Sequence, residues 1–220
     1  LMSKAFINFY AMKNNPAILT LFLLVTAFTS APSVAQSDLS EGWEIKVMNE
    51  RQPPKVIMDS IGIKAGMVIG EIGAGRGRFT VYMAREVGNQ GMIYANDIDE
   101  NAISYLSQRC RRLGFGNVKT IVGRKDDPMF PEKSLDMAVM IWVYHMIDKP
   151  DPLLINLKKS LKPGATLVIL DPVDAEVDNE FHIDRKKQGN MPPTMQERIE
   201  KSARECGYTV LKIETFLPKD

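Results

Sequence analysis

The chain has 220 residues, 28 basic against 27 acidic, for a formal net charge of +1, and 45% of it is hydrophobic. That balance excludes a polybasic nucleic-acid surface, so no nucleic-acid partner is expected. Two cysteines (Cys110, Cys206) and two histidines (His145, His182) argue against a structural zinc site, and pairing of the distant thiols stays open.

In chain order, residues 1–35 read as a secretory leader. Lys13 precedes a 12-residue apolar run from Ala17 to Phe28, and Ser33-Val34-Ala35 supplies small residues for cleavage. Twelve residues fall short of the roughly 20 that span a bilayer as a helix. The alternative is an uncleaved anchor, the only case in which a membrane partner is expected. No Cys follows the run, which argues against a lipid anchor. The expected destination is secreted or periplasmic. Removing 1–35 takes Lys4 and Lys13 and no acid, turning the charge from +1 to −1. Short helices over 40–49 and 54–60 form a cap within 36–65, ahead of one domain over 66–220.

From there strands and helices alternate. Strands are expected over 67–72, 92–97, 118–122, 135–141, 166–170 and 208–216. Helices fill 78–86, the segment with Ile103, Leu106, Cys110 and Leu113 on one face before Gly114, and 151–161. The last carries Met195, Ile199, Ala203 and Cys206 on one side. This alternation implies an α/β fold with a doubly wound, mostly parallel sheet covered on both faces. Ligands of such sheets bind beyond the carboxyl ends of the strands. The residues at those ends are Glu71, Asp97, Gly123, Ile141 and Asp171.

The stretch VIGEIGAGRGRFT, residues 68–80, carries an acidic strand end into a glycine-rich turn. Gly73, Gly75 and Gly77 give G-x-G-x-G, with Arg78 where a dinucleotide fingerprint has its third glycine. Glu71 would repel a pyrophosphate, yet it suits a ligand bearing an ammonium and a sulfonium. S-adenosylmethionine (SAM) is such a ligand. Asp97, 20 residues after Gly77, is placed to accept both ribose hydroxyls, while Asp99 caps the helix that follows. An acid at position 97 serves a dinucleotide equally well; Glu71 is the discriminating residue.

Taken together, EIGAGRGRFT, IYANDIDENAISYL, DPMFPEKSLDMAVMIWVYHMI and LKPGATLVILDP resemble, in order, the motifs of class I SAM-dependent methyltransferases. The resemblance covers residues 45 to 175 and is to the small-domain type related to the ubiquinone/menaquinone biosynthesis enzymes. It implies a Rossmann-like fold, SAM as cofactor and a small-molecule methyl acceptor. It also implies that Glu71, Gly73 and Gly75 meet the methionine end, that Ile98 packs on the adenine and that Asp126 reaches its amine. Such folds close with a seventh, antiparallel strand, for which no residues remain after 208–216.

Beside the acceptor, His145 in WVYHMID is a candidate proton acceptor and Tyr144 a second; otherwise the histidine only orders its loop. Arg51 is a candidate cover for the cofactor, and the polar stretch 172–191, with His182, a candidate lid; both also read as solvated surface. Two rival readings remain: a secreted binding protein with this fold and no transfer activity, and an NAD-dependent oxidoreductase.

Overall fold

The computed structural model describes residues 5–12, 39–42, 44, 49, 52–172 and 194–216. Strands β1 (Ala5–Met12), β2 (Val68–Ile72), β3 (Met92–Asp97), β4 (Val118–Val122), β5 (Leu135–Ile141), β6 (Leu161–Pro172) and β7 (Tyr208–Phe216) form one sheet in the order β4-β3-β2-β5-β6-β1-β7. The run from β4 to β6 is parallel throughout, as the alternation of elements required. Helices α1 (Pro54–Ile61), α2 (Thr80–Val87), α3 (Glu100–Leu113), α4 (Pro150–Ser160) and α5 (Met195–Glu205) cover it.

Successive residues of a strand point to opposite faces, and both faces are dry here. Met137, Val139 and Ile141 of β5 join Val168 and Leu170 of β6 in a core with Ile57, Val81, Met83 and Leu106 from the helices. The alternate residues Ala138, Met140, Leu167 and Ile169 pack with Leu154, Leu157, Ile199 and Ala203 on the other side. Cys110 belongs to the first core and Cys206 to the second, both buried and unpaired.

Most elements lie within a residue or two of expectation, and four strands match at both ends. The exception is β6, which starts at Leu161 because the turn at Lys162-Pro163-Gly164 is absorbed as a register irregularity opposite Leu135 and Met137. Helix α3 begins at an Asp99 cap, whose carboxylate accepts the Asn101 amide at 2.8 Å, and stops at left-handed Gly114.

Among the described residues no strand follows β7. The antiparallel position between β6 and β7 is filled instead from the other end of the chain, by β1, which pairs along both neighbours. Thus residues 5–12, inside the stretch read as a leader, lie in the sheet. Residues 13–38, which hold the apolar run and the small-residue site, lie outside the described residues, as do Arg51, Trp43 and the 173–193 segment with His182. No described helix is long and apolar enough to cross a membrane.

Of the expected helix over 40–49, Gly42 and Glu44 are helical. This segment is tied down by two arginines. Fully buried Arg109 of α3 pairs with Glu44 at 2.6 Å and donates to the Leu39 carbonyl at 2.7 Å. Arg78 donates to the Gln52 side chain at 2.5 Å and its carbonyl at 2.8 Å, and burial lowers its pKa to about 10. The residue that breaks the dinucleotide fingerprint therefore anchors the cap.

Candidate active site

A cavity of about 810 Å³ opens beyond the carboxyl ends of β2, β3 and β5. That is the place a parallel sheet offers, because the chain leaves β2 toward β3 on one side and leaves β5 toward β6 on the other. Gly73, Gly75, Asp97, Ile98 and Asp126 all line it, so five of the cofactor-site residues chosen from sequence come together.

The glycine turn has steric causes. Gly73 adopts φ +71°, and a Cβ there would sit 2.4 Å from the Val143 side chain. At Gly77, φ is +86° and a Cβ would meet Leu106 at 2.2 Å, so Gly77 sets the packing of the turn on α3 and does not line the cavity. Gly75 faces open space, and its amide donates to Asp97 Oδ2 at 2.8 Å. Asp97 Oδ1 accepts the Asp99 amide at 3.0 Å. The two carboxylate oxygens are thus held by backbone on either side of the cleft, with lone pairs left for a ligand.

Glu71 is 3% exposed and lies beneath the turn; it does not line the cavity. Its carboxylate accepts the Thr80 hydroxyl from the first turn of α2. Burial pushes its pKa up to about 7, opposed by the Thr80 hydrogen bond and reinforced by the charge of Asp97. Strand register explains the placement: Glu71 pairs with Ala95 and Val139 in the middle of the sheet, one residue short of the end.

Several wall residues were not singled out from sequence. Asn96 is buried, and its Nδ2 donates to the Pro128 carbonyl at 3.0 Å, holding the 123–128 loop that carries Arg124, Lys125 and Asp126. Trp142, Val143, Met146, Ile147 and Leu153 form an apolar wall after β5. Trp142 sits at φ +59°, a costly conformation for a bulky residue, with its amide fixed on the Leu170 carbonyl at 2.8 Å. Such strain at a cavity wall commonly accompanies function.

The two proton-acceptor candidates diverge. Tyr144 is 1% exposed and packs into the core formed with α4 and α5, close to Ser202 and Asp151; burial raises its pKa, and it does not line the cavity. His145 lies on the 3-10 turn Tyr144–Met146; it does not line the cavity either, although Met146 next to it does. Its Nδ1 is 2.5 Å from Oδ1 of Asp171, at the end of β6, and its amide donates to Oδ2 at 3.3 Å.

The residues at the cavity fit a nucleoside. The Asp97 carboxylate suits vicinal hydroxyls, Ile98 at 56% exposure offers an apolar face to a base, and Asp126 lies beside it. An open backbone at Gly75 leaves room for close approach.

Comparison with known proteins agrees. A family model described as a methyltransferase domain matches residues 63–211, more than half of the chain. The ubiquinone/menaquinone biosynthesis C-methyltransferase UbiE of Psychromonas ingrahamii is 26% identical over 115 residues, 52% of this chain and 46% of that protein. The Escherichia coli K12 protein of that name is 25% identical over the same length. The chain thus spans about half the length of these curated relatives. Among solved structures, a SAM-dependent methyltransferase from Aquifex aeolicus superposes with a TM-score of 0.62 at 24% identity, covering 78% of this chain and 85% of that one. Haemonchus contortus phosphoethanolamine N-methyltransferase 2, solved with S-adenosyl-L-methionine, gives 0.56 at 20% identity, covering 70% and 36%.

Proposed function

Since the chain belongs to the methyltransferase-domain family, we propose that it is a SAM-dependent methyltransferase acting on a small-molecule acceptor. The observation that carries this reading is the convergence of the Gly73–Gly75 turn, Asp97, Ile98 and Asp126 on one cavity. SAM supplies an electrophilic methyl group on a sulfonium. Asp97 holds the ribose, Ile98 and Asp126 receive the adenine, and the glycine turn leaves the methionine end room beside the strand. Above about pH 7, where buried Glu71 ionises, it adds negative potential beneath that end.

The protein's contribution to the chemistry is orientation and the exclusion of water. The apolar wall of Trp142, Met146, Ile147 and Leu153 borders the remaining part of the cavity, and an acceptor held against it is aligned for in-line attack. Incubating the full chain with methyl-labelled SAM and an acceptor panel tests the proposal. Labelled product with stoichiometric S-adenosylhomocysteine supports it. Saturable SAM binding with no transfer to any acceptor would leave the binding-protein reading in its place.

We further propose that the pattern over 13–35 directs export, which N-terminal sequencing of protein recovered outside the cytoplasm tests. Cleavage after Ala35 would take β1 out of the sheet and leave β6 and β7 without their shared partner.

A further inference from the structure

The pair formed by His145 and Asp171 has no part in holding the cofactor as described above. Asp171 is fully buried at the carboxyl end of β6, and both its oxygens face His145: Oδ1 lies 2.5 Å from Nδ1 and Oδ2 accepts the backbone amide. One carboxylate therefore fixes both the position of the turn and the rotation of the ring. The His145 side chain is 22% exposed. With Nδ1 turned to a buried partner, the exposed edge is the one bearing Nε2. Among the described residues Nε2 has no hydrogen-bond partner; Met146, the next residue, and Val143, two residues back, line the cavity, while His145 itself does not, so an acceptor must reach the ring from the cavity's border at that turn. Oδ2 anchors the turn through the amide, and Oδ1 in addition fixes the orientation of the ring.

Resting on the methyltransferase reading, we propose that His145 Nε2 accepts a proton from the acceptor, that Asp171 is the residue positioning it, and that the acceptor is a weakly acidic hydroxyl compound. An ionised carboxylate can only accept, so Nδ1 must carry the hydrogen and Nε2 the free lone pair. In the transfer, the acceptor's oxygen forms a bond to the donated methyl carbon. The carbon–sulfur electron pair stays with sulfur, leaving a neutral thioether. The hydroxyl proton passes to Nε2, and Asp171 offsets the imidazolium charge. A thioether or tertiary amine would need no such pair. An imidazole is matched to a hydroxyl of phenolic acidity far better than to an alkyl alcohol.

Two readouts test this on the full chain. First, nitrogen-15 NMR of histidine-labelled protein with S-adenosylhomocysteine at pH 8.5 reports the tautomer. The chain has only two histidines, and H182Q assigns them. The expected result is His145 as the Nδ1–H tautomer, with that preference lost in D171N. An Nε2–H tautomer, as would arise if protonated Asp171 donated to Nδ1, overturns the proposal. Second, methyl transfer is compared for 2-naphthol and 2-(methylthio)naphthalene, which share a ring system but differ in whether the acceptor atom has a proton to release. Transfer to the naphthol alone is expected. H145A should lose about 100-fold in kcat, with partial rescue by added imidazole and SAM affinity within twofold of wild type. D171N should lower kcat with KM for the naphthol nearly unchanged. Comparable transfer to the thioether, full activity in H145A, or no transfer to the naphthol by a protein that binds S-adenosylhomocysteine each overturns it. Failure to bind S-adenosylhomocysteine at all would instead defeat the methyltransferase reading on which the proposal rests.

Discussion

Glu71 gives the sharpest physical prediction. Burial beneath the glycine turn lifts its pKa from 4.5 to about 7, so the folded chain keeps a proton that the unfolded chain releases. Below pH 4.5 both states are protonated and the residue is neutral for stability. Between 4.5 and 7 only the unfolded state ionises, so stability falls as pH rises. Above 7 both are ionised and the penalty stays constant. A shift of this size corresponds to about 3 kcal/mol. E71Q removes the ionisation while keeping an oxygen to accept the Thr80 hydroxyl. Urea unfolding followed by circular dichroism at pH 5, 6.5 and 8 measures the effect. Asp171 is also raised by burial and contributes the same sign, so the difference between the two proteins isolates position 71. The stability gap between E71Q and wild type should grow in favour of E71Q by about 2.5 kcal/mol from pH 5 to pH 8. Parallel pH profiles for the two proteins would refute the reasoning.

Other predictions follow from single contacts. R109M strands the Glu44 carboxylate in a dry site and should cost about 3–5 kcal/mol in urea unfolding, loosening the 39–52 cap as seen by limited proteolysis. G73A forces a Cβ onto Val143 at a left-handed position, so it should destabilise by about 1–3 kcal/mol and weaken SAM binding measured by dialysis. In a W43F background Trp142 is the sole tryptophan of the chain, and its emission should change saturably on adding S-adenosylhomocysteine, because it lines the cavity.

Much of this was legible in the sequence because local signals and tertiary packing agree. The strand 92–97 ends in its acid, Asp99 caps α3 and Gly114 stops it, so periodicity and cap chemistry fixed that unit without further context. That Gly73, Gly75, Asp97 and Ile98 come together was readable for the same reason: they lie in and just after one β-α-β unit, close in sequence. What sequence did not show depends on distant pairs. Asp171 was visible as a strand end, yet its role comes from His145, 26 residues away. Trp142 was not singled out, because its positive φ and its place in the cavity wall belong to the fold and leave no local signal. The eight residues of β1 carry no period that separates an inserted strand from the start of a leader, and their pairing with β6 and β7 spans most of the chain. The motif says nothing of how deep Glu71 lies; register places it one residue before the end of β2, beneath the turn.

The most direct measurement is a calorimetric titration of the full chain with SAM and S-adenosylhomocysteine, alongside D97N. Saturable one-to-one binding of both is expected, weakened by about 10- to 100-fold in D97N through the loss of charge-assisted hydrogen bonds of about 1.5–3 kcal/mol. A folded wild-type protein that binds neither, or a D97N variant that binds as tightly as wild type, would contradict it.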